Sequence, residues 1–280
     1  MSNTNRTISR PAVRYFGGKW RSAPWIISHF PPHTTYVEPF GGAMSVLIQK
    51  PRSFLEVYND LNKRTVNFFR ILREQPAALV RVLHLTPYSR YEYQQAMEQS
   101  PDPLEDARRF VIIAGQGNRG AGTNAPGGWR WMKTDSRTTP PSQDFYNLDH
   151  LYAIAERLQG VQIENDDALH ILKNYDTPET LYYIDPPYVF STRCVRWQGD
   201  VYNHDMNDTD HETLARAIQE LSGMVILSCY PSPLYDTLYT DWKYLDHTQT
   251  LQVRRANQPR ITTERLYFSP NITHRQLPLF

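Results

Sequence analysis

Short apolar runs that end in Gly, Pro, Asn or Asp recur along this chain and alternate with segments of helical period. Such runs predict buried strands, and the segments between them predict helices that cover a sheet. We predict strands at 36–37, 54–58, 161–164, 181–184 and 224–228, and helices at 43–50, 63–74, 151–158 and 211–221. The tail at 244–268 predicts a closing hairpin with its loop near 252–260. The alternation predicts an α/β fold with a doubly wound parallel sheet.

The pattern changes in the middle of the chain. Residues 75–113 predict helices separated by prolines, and residues 115–147 are rich in Gly, Asn, Pro and Trp without a clear period. We therefore predict a discontinuous α/β domain, residues 11–75 and 149–270, interrupted by an inserted region that is mostly helical or irregular, residues 76–148.

Composition narrows the class of protein. A chain of 280 residues, 40% of them hydrophobic, suits one large domain with an insertion. Cys194 and Cys229 are far apart in dissimilar contexts, which fits a reducing cytoplasm rather than a disulfide framework. No apolar stretch approaches the ~20 residues that span a bilayer, so no membrane segment is predicted. The histidines show no metal-binding spacing, so no metal is predicted either.

The strand at 181–184 runs directly into Asp185-Pro186-Pro187-Tyr188. Proline fixes φ, lacks an N–H and makes the preceding residue extended, so this turn is stiff. A planar molecule with an exocyclic NH2 suits it: the Asp185 carboxylate and the Pro186 carbonyl accept the two hydrogens, and Tyr188 stacks on the ring. The alternative is a Pro-Pro loop with a surface Asp.

The segment Glu38-Pro39-Phe40-Gly41-Gly42 lies between a predicted strand and a predicted helix. Glycines at such a place let a ligand approach the backbone and the helix N-terminus. Asp60 ends the next strand, 18 residues after Gly42, where an acidic residue commonly binds ribose hydroxyls. The alternative for Asp60 is an N-cap in the turn at 59–62. No GxGxxG or Walker motif is present, so adenosine without phosphates fits better than a pyrophosphate.

These motifs and one more follow the order of a known family: Arg14-Tyr15-Phe16-Gly17-Gly18-Lys19, then Glu38–Gly42, Asn59-Asp60 and Asp185–Tyr188. From residue 14 to about 268 the chain resembles the Dam-type, D12 class DNA adenine-N6 methyltransferases, which use S-adenosylmethionine. The resemblance implies a Rossmann-like methyltransferase sheet and assigns Glu38 to Gly42 to the cofactor loop. The family usually has a further glycine two residues after Gly42, where this chain has Met44.

The resemblance also implies a role for the other motif residues. Tyr15 and Lys19 lie beside the methionine moiety of the cofactor, with Lys19 near its carboxylate. Asp60 holds the ribose, and Asp166 or Asp167 lies near the adenine ring of the cofactor. A turn and helix cap is the alternative for that last pair.

Asp185 to Tyr188 then border the cofactor and hold the target base. The hypothesis is direct methyl transfer to N6 of an adenine extruded from double-stranded DNA. Asp185 and the Pro186 carbonyl would favour a more tetrahedral nitrogen and aim its lone pair at the methyl group, by positioning and electrostatics.

The inserted region supplies a local basic patch in a chain of net charge +1. Residues 107–134 contain no acidic residue; their basic residues are Arg108, Arg109, Arg119, Arg130 and Lys133. Polar and aromatic candidates for DNA contacts in this stretch are Gln116, Asn118, Asn124, Trp129 and Trp131. Arg reads guanine, Asn and Gln read adenine, and Lys or Arg contacts phosphate. The region resembles the family's target-recognition insertion, and the alternative is a solvated loop with tryptophans packed inward.

Several alternatives stay open. Arg254, Arg255 and Arg260 form either a second phosphate contact or a solvated loop. The same chemistry on cytosine N4, RNA adenine or glutamine is one rival, and a DNA-binding regulator without catalysis is another. A dinucleotide oxidoreductase is disfavoured by the absent GxGxxG. We expect a cytoplasmic protein, at the nucleoid when acting, monomeric or weakly dimeric, with a cognate restriction enzyme as candidate partner; solitary, phage-type and housekeeping roles remain open.

Overall fold

A computed structural model of the chain describes residues 8–124, 127–133, 139–193, 202, 204–251 and 260–272. Of the residues named above, Cys194, Arg254 and Arg255 lie outside these ranges. The described strands are β1 Thr35–Glu38, β2 Leu55–Asn59, β3 Val161–Glu164, β4 Thr180–Ile184, β5 Met224–Cys229, β6 Lys243–Leu251 and β7 Arg260–Phe268. They form one sheet in the order β3-β2-β1-β4-β5-β7-β6.

The sheet is parallel from β3 to β5, and β7 pairs antiparallel with both β5 and β6. The predicted α/β class with a doubly wound, Rossmann-like sheet is confirmed, and each predicted strand is present. The predicted closing hairpin is the β6–β7 pair, in which Lys243 faces Phe268 and Leu251 faces Arg260.

Helices cover both faces of the sheet. Those of the α/β part are α1 Ala23–Ile27, α2 Ser45–Gln49, α3 Lys63–Glu74, α8 His150–Arg157, α9 Ala168–Asn174, α10 Asp208–Gln219 and α11 Pro233–Leu238. Local capping sets their starts: the Asn62 side chain accepts from Arg64 N, and Asn207 forms a capping box with Asp210. The predicted helices are present, whereas α1, α9 and α11, each of two turns or fewer, were not predicted.

From Leu181 to Ile184, the side chains of β4 are apolar or aromatic on both faces of the sheet, so helices must shield both faces from water. Leu181 and Tyr183 are buried in the core on one face, with residues of α1 to α3. Tyr182 and Ile184 are buried in the core on the other face, with residues of α9 and α10. Because successive strand residues point to opposite faces, a strand apolar at every position belongs inside a two-sided sheet.

Residues 76–148 contain α4 Pro76–His84, α5 Arg90–Gln95, α6 Pro103–Gln116 and α7 Pro141–Phe145. Pro76 and Pro103 begin their helices, at a position where the missing N–H costs no hydrogen bond. Phe110 of α6 packs on Phe68 of α3, with ring centroids 5.4 Å apart. The inserted helices thus share the core on one face of the sheet, and their role in DNA recognition remains a prediction.

The strand order reverses between β1 and β4, which opens a crevice at their carboxyl ends. The Glu38–Gly42 segment follows β1, the Asp185–Tyr188 turn follows β4, and Asp60 follows β2. The topology therefore brings the predicted motifs to one edge of the sheet.

Candidate active site

A cleft of about 390 Å³ lies at this edge, within the size range of small-molecule sites. Every residue predicted to bind the cofactor lines it: Tyr15, Lys19, Glu38, Phe40, Gly41, Gly42, Asp60, Asp166, Asp167 and Asp185. We call it the first cleft.

Aromatic side chains surround the glycines of the loop after β1. A Cβ on Gly41 would lie 2.1 Å from Cε2 of Tyr58, whose hydroxyl donates to the Gly42 carbonyl over 2.8 Å. Gly42 has φ of 47° and lies against the Tyr15 ring, which a Cβ would approach to 3.2 Å. At Gly41 the chain itself supplies a reason for glycine, because the Tyr58 ring fills the space that a Cβ would take; room for a ligand stays a prediction.

Met44 occupies the position where the resemblance leads one to expect glycine. It has φ of 56°, the only positive value for a non-glycine residue in the described ranges, and its side chain is buried. The left-handed conformation at the start of α2 is therefore kept without glycine, at a cost of roughly 1–2 kcal/mol.

The Glu38 side chain contacts the first turn of α2. Its Oε1 accepts from Leu47 N over 2.8 Å and from the Tyr36 hydroxyl over 2.6 Å. Burial raises the pKa of Glu38 to about 8, against the lowering effect of these two hydrogen bonds. Glu38 therefore ties β1 to α2 as well as lining the first cleft.

Asp60 and its neighbour Asn59 join three loops. Asp60 accepts from Gly42 N and from Asn62 N, each over 2.8 Å. The N-cap of α3 is Asn62, so the alternative of Asp60 as N-cap was wrong. Burial raises the pKa of Asp60, and the two N–H bonds oppose that rise.

Sequence reasoning assigned no separate role to Asn59, which is buried. Its amide donates to the carbonyls of Pro39 and Asp166 at 2.9 and 3.0 Å, and it accepts from Asp166 N at 2.9 Å. The sequence did offer a signal for this role, because Asn59 is a polar residue at the end of a strand that is otherwise buried.

Asp166 and Asp167 differ in their surroundings. Asp167 is the N-cap of α9 and accepts from Leu169 N over 2.8 Å, as its helix-cap alternative predicted. Asp166 Oδ1 accepts from Asp167 N over 2.7 Å, and its side chain is half exposed. Asp166 Oδ1 also lies 3.3 Å from His170 Nδ1. The side chains of Asp166 and Asp167 are both exposed, and which of them contacts the cofactor stays a prediction.

An ion pair lines the first cleft where β4 ends. Lys19 Nζ lies 2.7 Å from Asp185 Oδ2, 3.0 Å from the Gly17 carbonyl and 3.9 Å from Glu264 Oε1. It also lies 4.9 Å from the centre of the Tyr188 ring. The expectation for Lys19 was a cofactor carboxylate; in the structure its partner is Asp185.

The two oxygens of this carboxylate differ in their contacts. Asp185 Oδ1 is buried and has no hydrogen-bond partner among the described residues. Burial raises the pKa of Asp185 to about 6, Lys19 lowers it, and Glu264 raises it further. For Lys19, burial lowers the pKa, but Asp185 and Glu264 more than compensate and raise it above its usual value.

A second cleft, of about 770 Å³, adjoins the first. Gly17, Gly18 and Lys19 line both clefts, whereas Asp185 lines the first and Tyr188 the second. The second cleft also has a basic lining of Arg14, Arg21, Arg119 and Arg193. The Lys19–Asp185 pair thus stands where the two clefts meet.

Two arginines of the basic patch form ion pairs within the insertion. Arg108 pairs with Glu105 at 2.6 Å and Glu92 at 2.9 Å, and Arg109 pairs with Glu105 at 2.8 Å. The spacing of Glu105 three and four residues earlier could have indicated these ion pairs, and the DNA contacts of both arginines stay a prediction.

Gln116 is fully buried, and its Oε1 accepts from Trp129 Nε1 over 3.1 Å. Trp129 packs against Tyr88, with ring centroids 5.4 Å apart. Trp129 is thus the inward-packed tryptophan of the alternative, and contacts of these two residues with bases stay a prediction.

The remaining candidates lie nearer the surface. Asn118, Asn124 and Lys133 are exposed, and Trp131 is 59% exposed. Arg130 lies 3.6 Å from Asp144 and is partly exposed. These residues, with Arg119 on the second cleft, stay candidates for DNA contact.

The irregular part of the insertion is joined to the N-terminal motif. Phe16 N donates to the Ala121 carbonyl, and Ala121 N donates to the Arg14 carbonyl, both over 2.9 Å. Asn124 Nδ2 donates to the Tyr202 carbonyl over 2.7 Å, and the Tyr202 ring packs on Phe16. The insertion therefore borders both clefts.

Comparisons with known proteins agree with this architecture. Residues 15–253 match the family model for D12 class N6 adenine-specific DNA methyltransferases. The type II methyltransferase M1.LlaDCHI of Lactococcus lactis subsp. cremoris is 23% identical over 275 residues, which cover 92% of this chain and 95% of that protein.

Similarity to solved structures is weaker. A SAM-dependent methyltransferase from Agrobacterium tumefaciens has a TM-score of 0.38 at 9% identity, over 89% of this chain and 59% of that one. A putative RNA methyltransferase from Pyrococcus horikoshii has a TM-score of 0.34 at 9% identity, over 94% and 91% of the two chains. Scores at this level do not bear on function.

The two clefts, the motifs that line them and the family match define a methyltransferase that acts on DNA. The chain belongs to the D12 class N6 adenine-specific DNA methyltransferase family, and its methyl donor is S-adenosylmethionine. The first cleft suits this cofactor: it is of small-molecule size, and the carboxylates of Asp60 and Asp185 both line it. Within the described residues, no helix is long and apolar enough to cross a membrane, and no cluster of metal ligands occurs.

Proposed function

We propose that this chain methylates N6 of adenine at a specific sequence in double-stranded DNA, and that the target adenine leaves the helix and enters the second cleft. The observation that carries the proposal is the place of Asp185, with one buried oxygen unpaired, where that cleft meets the first.

On the cofactor side, the expected contacts are made by residues that already line the first cleft. Bound S-adenosylmethionine supplies an electrophilic methyl group. Asp60 would hold its ribose, Asp166 its adenine, and Tyr15 and Lys19 its methionine portion. Asn59 keeps the loops after β1 and β3 in register, so that these side chains are held in place before binding.

On the DNA side, Tyr188 would stack on the extruded base, a contact worth about 1–3 kcal/mol. That gain offsets the few kcal/mol that unstacking costs. Arg14, Arg21 and Arg119 give this cleft the positive charge that suits the phosphates beside an extruded nucleotide.

The chemistry follows from the acceptors at the turn. The N6 lone pair is delocalised into the ring, so N6 is a weak nucleophile until its hydrogens are held out of plane. Asp185 Oδ1 and the Pro186 carbonyl would accept one N–H each. As nitrogen bonds to the methyl carbon, the bond from carbon to sulfur breaks, nitrogen becomes positive and one proton leaves. The Asp185 carboxylate, with a pKa raised to about 6, would accept that proton.

The remaining candidates for DNA recognition are the exposed side chains of the insertion. Lys133 and Arg130 would contact phosphate, and Asn118, Asn124 and Arg119 would read bases or fill the gap left by the adenine. A cognate restriction enzyme is a candidate partner because the relative M1.LlaDCHI is a type II methyltransferase; a monomer or weak dimer remains our expectation.

A transfer assay tests the proposal. The protein is incubated with plasmid DNA and methyl-labelled S-adenosylmethionine, and the DNA is digested to nucleosides and separated. We expect label in N6-methyladenine, and a loss of at least about 100-fold for Asp185→Asn with cofactor affinity retained. Asp241→Asn, at an exposed carboxylate, is the matched control and should behave as wild type. Label in N4-methylcytosine, or an Asp185→Asn variant with near-normal activity, would overturn it.

A further inference from the structure

Glu264 lies outside every motif that the sequence displays, yet it borders the transfer site. It stands on β7 and lines the second cleft, and its side chain is 12% exposed. Its Oε1 accepts from Ser228 Oγ over 2.5 Å and from the Tyr188 hydroxyl, and lies 3.9 Å from Lys19 Nζ. One carboxylate thus contacts the predicted stacking ring and faces the lysine that pairs with Asp185.

We propose that Glu264 is a positioning residue of the transfer site, which fixes the Tyr188 ring through its hydroxyl and places a second negative charge beside the Lys19–Asp185 pair. The proposal rests on the function proposed above.

The first part of this role is geometric. The Tyr188 ring packs edge to face on Tyr230, with centroids 4.4 Å apart, and its hydroxyl is held by Glu264. Ser228 on β5 donates to the same oxygen and so fixes the carboxylate itself. A ring held at both its edge and its hydroxyl presents one orientation to an incoming base, and a misplacement of about 1 Å costs roughly 100-fold in rate.

The second part is electrostatic. Lys19 faces two carboxylates, so the ionised cluster of Lys19, Asp185 and Glu264 carries a net charge of one negative unit. Positive charge moves onto the target nitrogen as the methyl group transfers. The sulfur of the donor loses the same charge, so a negative cluster favours the transition state only on the nitrogen's side of the transfer, which is the side where Asp185 would hold the amine.

The charge of Glu264 also acts on the proton affinity of Asp185. The titratable groups that interact with this carboxyl are Lys19, Glu38, Tyr183, Tyr188, Tyr202, Cys229, Tyr235 and Glu264. Burial is the largest cause of its raised pKa, Lys19 opposes it, and Glu264 adds to it. Because Asp185 must be ionised to accept the amine, activity should fall as the pH drops through the pKa of Asp185, about 6. Removal of the Glu264 charge should move this acid limb to lower pH.

The test compares Glu264→Gln with wild type over about pH 5 to 9 in the transfer assay. We expect a kcat lower by about 100-fold, a KM for DNA within about threefold, and an acid limb shifted to lower pH. Glu220→Gln, which removes an exposed carboxylate, should change none of these. A Glu264→Gln variant with the wild-type kcat, or with an unshifted acid limb, overturns the proposal.

Two further variants guard against a folding defect. Glu264→Asp keeps the charge but shortens the reach, so kcat should fall while the acid limb stays; an unchanged kcat argues against the geometric part. Tyr188→Phe removes the hydroxyl, and combining it with Glu264→Gln should cost less than the sum of the single losses; additive losses refute the anchoring. A wild-type protein that forms no N6-methyladenine refutes the proposed function instead, so the two failures are distinguishable.

Discussion

Replacement of Gly41 by alanine tests how the cofactor loop is held. The new Cβ would lie 2.1 and 2.3 Å from Cε2 and Cδ2 of Tyr58 and 3.0 Å from the Asn59 carbonyl oxygen. The Tyr58 ring is fully buried and bonded to the Gly42 carbonyl, so it cannot move aside without losing that bond. Overpacking costs about 1–3 kcal/mol and the hydrogen bond about 1 kcal/mol. We expect the free energy of unfolding to fall by about 2–4 kcal/mol.

The assay is urea unfolding of the variant, together with cofactor affinity by calorimetry. Gly128→Ala is the control, because its Cβ would meet nothing nearer than Asn118 Nδ2 at 3.7 Å. We expect Gly41→Ala to bind the cofactor more weakly as well, because the loop is displaced. The double variant Gly41→Ala, Tyr58→Leu removes the clash and should recover much of that affinity. Wild-type stability in Gly41→Ala, with a loss of cofactor affinity that Tyr58→Leu does not repair, would show that the ligand requires the glycine and would refute the reasoning.

Three further predictions concern single side chains. Asp60→Ala frees the Gly42 and Asn62 amides, and calorimetry should show cofactor affinity lower by about tenfold or more, since two buried donors lose their acceptor; unchanged affinity would contradict this. The pKa of Glu38, near 8 when folded against 4.5 as its ordinary value, means that the folded state keeps a proton that the unfolded state has released, so stability falls as pH rises through 8. Wild type should lose about 1.4 kcal/mol between pH 7 and 9, by thermal or urea unfolding, and Glu38→Gln should lose none of it. Lys133→Ala should lower the slope of log affinity for DNA against log salt by about one, whereas Lys173→Ala, also exposed, should leave it unchanged.

The sequence predicted the sheet and the edge where its motifs meet, because both follow from local pattern. Apolar runs such as 181–184 mark strands, and the order of motifs places Glu38–Gly42 and Asp185–Tyr188 at strand ends on the same side. The family match agrees with the methyltransferase class that those motifs implied. Short helices such as α9 were not predicted, because one or two turns contain too few repeats of the hydrophobic pattern to detect.

Contacts between distant residues were beyond the reach of pattern. Asn59 holds Asp166 across 107 positions, and Glu264 reaches Tyr188 across 76, because β7 pairs with β5. No local sequence spacing predicts either contact. The partners of the basic patch were missed for a different reason: charge was counted without the acids one helical turn away, and Glu105 pairs with Arg108 within α6.

The most direct test of the central claim is the methylation pattern of DNA in cells that express this chain. Sequencing that maps modified bases, with cells expressing Asp185→Asn as the reference, reports the target atom and the sequence together. The account predicts N6-methyladenine at one adenine of a recurring short sequence, absent from the reference. Methyl groups on cytosine N4, or no modified base in cells with folded wild-type protein, would contradict it.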